Sequence, residues 1–270
     1  MTTPAGRPRR RLDVALVESG LAPTRERAQA LILAGRVRVD GRLSDKPGAA
    51  IPPGALVELA PGPRPYASRG GLKLAGALDA LAIDPAGWQC LDIGASTGGF
   101  TDVLLRRGAS HVTAVDVGRG LIDAGLRADP RVALVEGVNA RYLSPQLVRP
   151  PYDLATLDVS FISLVLVLPA VLPLVPRGLV LGLVKPQFEL SPREVGRGGV
   201  VRDPALRARA VGRVCRFLAD AGRAIRGIAA SPVAGPKGNR EVFVLAAPDG
   251  GMMEAGWTAR IEEETRREPS

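Results

Sequence analysis

Four side chains stand where they could do proton chemistry: Lys73, Asp158, Lys185 and Glu241. Lys185 directly follows the apolar run Leu179-Val-Leu-Gly-Leu-Val184, surroundings that disfavour an ammonium, and a second lysine nearby would disfavour it further. A lysine tuned in this way can take the proton from a weakly acidic hydroxyl. Asp158 and Glu241 could orient the lysines and the incoming hydroxyl, and Lys73 could bias Lys185 or hold the substrate. The same four residues would also serve as ordinary salt bridges. Other chemistries find little support. His111 is the only histidine and opens a strand-like run, where a structural role is expected. Cys90 and Cys215 stand far apart with no CxxC spacing, so neither a metal site nor a disulfide framework is expected.

A second set of residues is suited to holding a nucleotide. Leu91-Asp-Ile-Gly94-Ala-Ser-Thr-Gly98-Gly99-Phe-Thr-Asp102 reads as a strand, a glycine-rich turn and a helix, and in an open α/β sheet a nucleotide lies in the crevice beyond such a turn. Gly94, Ala95, Ser96, Thr97, Gly98 and Gly99 are the candidate contacts, since glycines allow close backbone approach. The spacing is neither the G-x-G-x-x-G of dinucleotide sites nor the G-K-[ST] of a P-loop. Asp116, ending the next strand, could accept from both hydroxyls of an adenosine ribose, although the same acid would suit NAD. Asn139, after the third strand, could touch the adenine edge or be a plain loop residue. With an activated methyl donor in this crevice, the four polar residues would suit methylation of a ribose 2′-hydroxyl, which needs mainly alignment and a base. That chemistry calls for no metal.

These residues need a frame. Strands are expected at Gln89 to Ile93, His111 to Asp116, Val132 to Glu136, Leu154 to Asp158, Leu179 to Val184, Ala224 to Ser231 and Glu241 to Ala246. Helices are expected at Gly71 to Leu81, Gly99 to Arg107, Gly120 to Ala124, Ser160 to Val175 and Pro204 to Ala221. Strand and helix alternate, so the class is α/β, a Rossmann-like parallel sheet covered on both faces. Seven strands, the last two adjacent in sequence, suit the methyltransferase variant in which the final strand inserts antiparallel. Asp158 and Lys185 then stand at strand ends beside the crevice and Glu241 enters the last strand, while Lys73 lies in the opening helix.

The first 60 residues read differently. Leu12, Ala15 and Leu16 fall on one helical face stopped by Gly20, Thr24 caps a helix from Arg25 to Ala34, and Val37 to Arg42 is a hairpin turning at Asp40-Gly41. This small α+β unit carries Arg25, Arg27, Arg36, Arg38 and Lys46, which can gather on one surface and read phosphates and helix shape. Composition agrees: of 270 residues 46% are hydrophobic but only 4% aromatic, as in aliphatic parallel-sheet cores, and the net charge of +9 would draw the chain to polyanions. The expected division is a basic head at 1–60, a stiff Pro/Gly linker at 61–70, the α/β domain at 71–247 and a tail at 248–270 with at most a loose helix.

The start is Pro- and Arg-rich without an apolar run, which is neither a signal peptide nor an anchor, so a cytoplasmic location is expected. Leu164 to Val184 is apolar over spanning length, but Pro169, Pro173, Pro176, Arg177 and Gly178 divide it into a short helix, a turn and a strand, so no membrane partner is expected.

The head resembles the RNA-binding domain named after ribosomal protein S4, through Arg11-Leu-Asp, Gly20-Leu, Thr24-Arg-Glu-Arg-Ala, Leu31-Ile and Gly35-Arg-Val-Arg-Val-Asp-Gly. With Ser68-Arg-Gly-Gly-Leu-Lys73, the Gly94 turn, Leu157-Asp158-Val-Ser-Phe-Ile-Ser163, Val184-Lys185-Pro-Gln-Phe-Glu189, Gly199-Val-Val-Arg-Asp-Pro204 and Gly235-Pro-Lys-Gly-Asn-Arg-Glu241, nearly the whole chain resembles the TlyA family. Its members are ribosomal RNA 2′-O-methyltransferases with an FtsJ-like catalytic domain. The resemblance implies that Lys73, Asp158, Lys185 and Glu241 form a catalytic tetrad, that S-adenosylmethionine is the cofactor, and that ribosomal subunits are the partners, methylated on cytidines of both. Its longer-armed members also imply that Arg9, Arg10 and Arg11 contact RNA. Departures are Val242, where an aromatic often follows the glutamate, and Gly76 inside the first helix. Some relatives are called haemolysins, so a membrane-active protein is one competing reading, against which the broken apolar stretch argues. A pseudouridine synthase would have no place for the Gly94 turn or the Lys185 strand, and a binding-only ribosome assembly factor would lack activity alone.

Overall fold

A computed structural model describes residues 10–60, 66–196 and 198–267. The chain divides into two compact units, Met1–Arg69 and Gly70–Ser270. Residues 61–65, the first half of the expected linker, lie outside the described residues, as does Arg9.

In the first unit β1 (Arg10–Arg11) leads into α1 (Leu12–Glu18), and α2 (Arg25–Leu33) follows. Thr24 starts α2 by accepting the Arg27 N–H at 3.2 Å, the cap expected of its hydroxyl. Strands β2 (Val37–Val39), β3 (Arg42–Ser44), β4 (Ala50–Ile51) and β5 (Val57–Leu59) complete it. β3, β2 and β5 form an antiparallel sheet in that order. The turn between β2 and β3 puts Asp40 at φ 48° and Gly41 at φ 76°, the left-handed pair a two-residue hairpin requires. Leu12, Leu16, Ala28, Ile32 and Val37 close a small core between the helices and the sheet.

Helix α3 (Arg69–Ala80) starts on the last residue of the first unit and opens the second, which continues β6 (Gln89–Ile93), α4 (Gly99–Arg106), β7 (His111–Asp116), α5 (Ala124–Ala128), β8 (Val132–Glu136) and β9 (Leu154–Leu157). It then runs α6 (Leu164–Val171), β10 (Leu179–Val184), α7 (Pro186–Glu189), α8 (Pro192–Val195), α9 (Pro204–Asp220), β11 (Ala224–Ala230), β12 (Val242–Ala247) and α10 (Glu254–Arg266). The seven strands lie in the order β11-β12-β10-β9-β6-β7-β8, and β12 runs antiparallel to both its neighbours, as the strand pattern predicts. The order reverses at β6, so the turns after β6 and β9 face one crevice. Leu, Val and Ile from β6, β9, β10 and β12 fill the core beneath it.

Three elements depart from expectation. The short helix placed at Gly120 to Ala124 begins four residues later, because Asp123 accepts the Gly125 N–H at 2.8 Å and caps the helix there, after Gly120 has turned at φ 67°. The helix expected from Ser160 begins at Leu164, because the Ser163 hydroxyl caps it and residues 160–162 form an irregular turn with Phe161 at φ 64°. The tail is no loose helix: α10 buries Trp257 and Ile261 against the core, and Glu264 accepts the Ala230 N–H at 2.8 Å.

Candidate active site

The two lysines and two acids meet. Lys185, the residue after β10, holds its Nζ 2.6 Å from Asp158 Oδ1 and donates to Ser160 Oγ at 2.8 Å. Lys73, in the second turn of α3, donates to Glu241 Oε2 at 2.6 Å. Both lysine side chains are 9% exposed, Glu241 1% and Asp158 20%, so the group is enclosed with Asp158 nearest the surface. Burial pushes the Asp158 carboxyl up, but the ammoniums of Lys185 and Lys73 outweigh it and hold the group below the usual carboxylate range. The influence of Lys73 on Asp158 ties the two pairs into one cluster.

Small residues make room for that cluster. A Cβ on Gly76 would stand 2.7 Å from Pro232 Cγ, so the glycine inside α3 is what lets this helix lie against the segment leading to Glu241. A Cβ on Gly235 would meet Glu241 Oε1 at 2.6 Å. Asn239, buried two residues before Glu241, accepts the Val201 N–H at 2.9 Å and donates to the Gly199 carbonyl at 2.7 Å. It thereby ties the 199–201 loop to the approach of β12.

The nucleotide turn lies against the same centre. Gly94 has φ 84°, and a Cβ there would stand 2.6 Å from the Asp158 carbonyl oxygen. The bare α-carbon therefore permits contact with the protein's own backbone, beside the residue that pairs with Lys185. Gly98, at φ 91°, is covered by Leu126, whose Cδ1 would be 2.3 Å from a Cβ. Ser96 takes φ 50°, and its N–H donates to Asp116 Oδ2 at 2.8 Å while Gly118 N–H donates to Oδ1 at 2.7 Å. Asp116 is thus fixed by two amides, and each oxygen keeps acceptor capacity for the hydroxyls of a ribose. Ala95 and Thr97 are buried in the turn, and Gly99 opens α4. Asn139 is exposed, and its side-chain oxygen caps the turn Ala140–Tyr142 by accepting the Arg141 N–H at 3.0 Å.

Three features escaped the reading of the sequence. Ser160 falls where the sequence predicts the start of a helix, yet it lies in the turn before α6 and accepts from Lys185 Nζ. Asp92, wholly buried in β6, accepts Thr101 Oγ1 at 2.6 Å and Thr156 Oγ1 at 3.1 Å, and burial pushes its carboxyl up to about 7 against those hydrogen bonds. Its place between Leu91 and Ile93 in an apolar strand was the available signal. Phe161 is 92% exposed, holds a left-handed backbone that bulky residues avoid, and leans on Phe188 with ring centroids 5.3 Å apart. Only coordinates reveal that. Cys90 and Cys215 are buried thiols pushed up to about 12 by burial, hence unreactive.

In the first unit the basic residues do not form one uniform patch. Arg11 and Arg25 converge on the buried carboxylate of Asp13, which Arg11 above all holds well below the usual range. Arg10 pairs with Glu18, and Arg38 donates to the Gly41 carbonyl at 2.9 Å in its own turn. Arg27 and Arg36 are half-buried, and Lys46 is exposed. Among the described residues no group of histidine, cysteine, aspartate or glutamate could hold a metal ion, and no helix is long and apolar enough to cross a membrane.

An open sheet with one inserted antiparallel strand, a glycine turn after its first strand and an anchored acid after its second define a methyltransferase of the doubly wound class. The FtsJ-like methyltransferase model matches residues 66–247, and the S4 domain model matches residues 10–57. The 16S/23S rRNA (cytidine-2′-O)-methyltransferase TlyA of Mycobacterium tuberculosis is 50% identical over 238 residues, 87% of this chain and 89% of that protein. Hemolysin A of Brachyspira hyodysenteriae is 36% identical, over 86% of this chain and 97% of its own. A solved Streptococcus thermophilus structure that carries the hemolysin name is 39% identical, covers 96% of this chain and 94% of that one, and superposes with a TM-score of 0.73. The chain belongs to the FtsJ-like methyltransferase family, in its TlyA branch.

Proposed function

We propose that this chain transfers the methyl group of S-adenosylmethionine to ribose 2′-hydroxyls of ribosomal RNA, on cytidines of the small and large subunits. The observation that carries the reading is the enclosed Lys185–Asp158 pair against the glycine turn, where the Asp158 backbone touches Gly94. The name of the Mycobacterium tuberculosis relative supports the substrate and the position methylated.

Residues Gly94 to Gly99 would cradle the cofactor, Asp116 its ribose hydroxyls and Asn139 its adenine edge. When bound, it supplies an activated methyl group on a sulfonium. The chain's own residues do the rest. Lys185, in its neutral form, takes the proton of the 2′-hydroxyl at Nζ. Asp158 stays ionised, so it stabilises the ammonium that forms, and the proton stops on Lys185. Ser160 accepts from Nζ at 2.8 Å and fixes its direction, while the Lys73–Glu241 pair walls the other side and biases Asp158. Phe161 offers an exposed aromatic face beside Ser160 on which an unstacked base can lie. The first unit, with Arg10, Arg11, Arg25, Arg27, Arg36, Arg38 and Lys46, holds the RNA through its phosphates.

The test is transfer of labelled methyl from S-adenosylmethionine to purified small and large ribosomal subunits, by the wild type and by Lys185→Ala. Expected is label at ribose 2′ positions, reduced about 10²–10⁴-fold in the variant while cofactor binding is retained. Absence of label from the wild type on either subunit overturns the substrate reading and favours the binding-only one.

A further inference from the structure

The first unit buries one acid among its arginines. Asp13, in the first turn of α1, is fully buried, although it is surrounded by cations. Its Oδ1 accepts Arg11 Nε at 2.9 Å, and its Oδ2 accepts Arg11 Nη2 at 2.8 Å, Arg25 Nε at 3.0 Å and Gln29 Nε2 at 3.0 Å. One carboxylate thus gathers donors from β1 and from two turns of α2. The two arginine side chains remain 50% and 52% exposed. Arg25 is held by Nε, and among the described residues its Nη groups have no partner; the same holds for Arg11 Nη1.

We propose that Asp13 is a positioning residue that locks Arg11 and Arg25 into a single two-pronged seat for a phosphodiester of the RNA backbone. Two guanidiniums repel each other and are costly to bring together on a flexible surface. A buried carboxylate between them removes that repulsion and fixes their planes, yet leaves the seat one net positive charge and outward N–H donors. A planar guanidinium offers paired donors that match two phosphate oxygens, which a lysine ammonium cannot do. Gln29 completes the carboxylate's partners without adding charge. The proposal rests on the RNA-binding reading of this unit, and it assigns a job to an acidic residue in a basic head.

The charge balance supplies a test in which two explanations differ in sign. Asp13→Asn makes the chain more basic by one charge, so plain electrostatic attraction would tighten RNA binding and steepen its salt dependence. The seat predicts the reverse. Binding of the full-length chain to purified ribosomal subunits is measured between about 50 and 200 mM salt, where each phosphate contact contributes roughly 0.7–0.9 to the log–log slope. Expected for Asp13→Asn is affinity about 10-fold weaker, with a slope shallower by about one contact. Unchanged or tighter binding overturns the proposal.

Arg25→Lys guards against a trivial loss of folding. It keeps the charge and leaves Asp13 its bonds to Arg11 and Gln29, so the unit stays assembled, as a cooperative thermal melt of the variant checks. It should still lose about 5-fold or more in affinity, and Asp13→Asn added to it should cost little more, since both break the same seat. Arg25→Lys binding as the wild type does, or losses that simply add, overturn the proposal while the RNA reading survives. A wild type that binds neither subunit in a salt-dependent way overturns both.

Discussion

Two carboxylate–cation clusters in this chain are built in opposite senses. In the first unit the acid is inside and the cations are outside: Asp13 is fully buried while Arg11 and Arg25 are half in solvent. In the second unit the cations themselves are enclosed, Lys73 and Lys185 both at 9%, and Asp158 is the member nearest the surface. The residue types follow the geometry. An outward guanidinium stays charged at any physiological pH and presents fixed donors, which suits holding a phosphate. An enclosed ammonium can change protonation state, which suits moving a proton. On the function proposed above, the first cluster binds without reacting and the second reacts at one atom.

The comparison is broken most forcefully at Glu241. Glu241→Ala leaves Lys73 without its 2.6 Å carboxylate partner in an enclosed place. We expect a stability loss of about 3–5 kcal/mol in denaturant melts and methyl transfer down by roughly 10³-fold. The double change Lys73→Met with Glu241→Leu should recover most of the stability, because apolar residues of similar volume replace buried pairs well. It should recover none of the activity. A double variant that stays active would show that this pair is only a structural staple.

Gly94→Ala comes next. It puts a methyl group 2.6 Å from the Asp158 carbonyl in a backbone that runs at φ 84°. The turn must move away from Asp158, costing about 1–3 kcal/mol, and cofactor affinity by calorimetry should fall about 10²-fold. RNA binding by the first unit should be untouched, since its own cluster lies in a separate compact unit. Parallel loss of both affinities would contradict the independence of the two clusters.

How far the sequence foretold this depends on the scale of the pattern. Five of the strand ranges in the second unit are legible almost to the residue, because β6, β7, β8, β9 and β10 are apolar runs bounded by turns. Asp158, Lys185 and Glu241 were legible because they flank the ends of β9, β10 and β12, whereas Lys73 lies inside α3 and was legible only through the Ser68-Arg-Gly-Gly-Leu-Lys73 motif. The starts of α5 and α6 were not, because Asp123 and Ser163 cap helices inside segments whose periodicity already looked helical. The reason for Gly76 was hidden as well: it depends on Pro232, far away in sequence and adjacent in space. Asp13 illustrates the same limit. In the sequence it reads only as part of the Arg11-Leu-Asp motif, and only the meeting of α1 with α2 makes it the centre of a cluster.

Asp92 differs from both, as a buried acid whose described hydrogen bonds come from the hydroxyls of Thr101 and Thr156 and the Thr101 backbone, with no cation among them. Its folded-state carboxyl is pushed up to about 7. Between about pH 4 and 7 the folded chain therefore keeps a proton there that the unfolded chain has released, so this group's contribution to stability is present at low pH and is lost as pH rises through that window. Asp92→Asn should flatten the fall and stabilise the chain at pH 8 by on the order of 2 kcal/mol, read from melts at several pH values. An unchanged pH profile would mean that Asp92 is already ionised in the folded chain.

The smallest effect belongs to Phe161, the outward-facing feature beside the enclosed cluster. Its ring is 92% exposed and its backbone sits at φ 64°, so folding gains little from the side chain and bears the strain of its conformation. Phe161→Asn relieves that strain, since asparagine tolerates the left-handed region, and should raise stability by up to about 1 kcal/mol. If the ring is there to receive a base, the same change should lower methyl transfer about 10-fold, the scale of one lost stacking contact, with cofactor affinity unchanged. A variant that is both more stable and slower is the signature of a residue kept for function at the expense of the fold. A variant that is more stable and equally fast would leave substrate capture to the first unit alone.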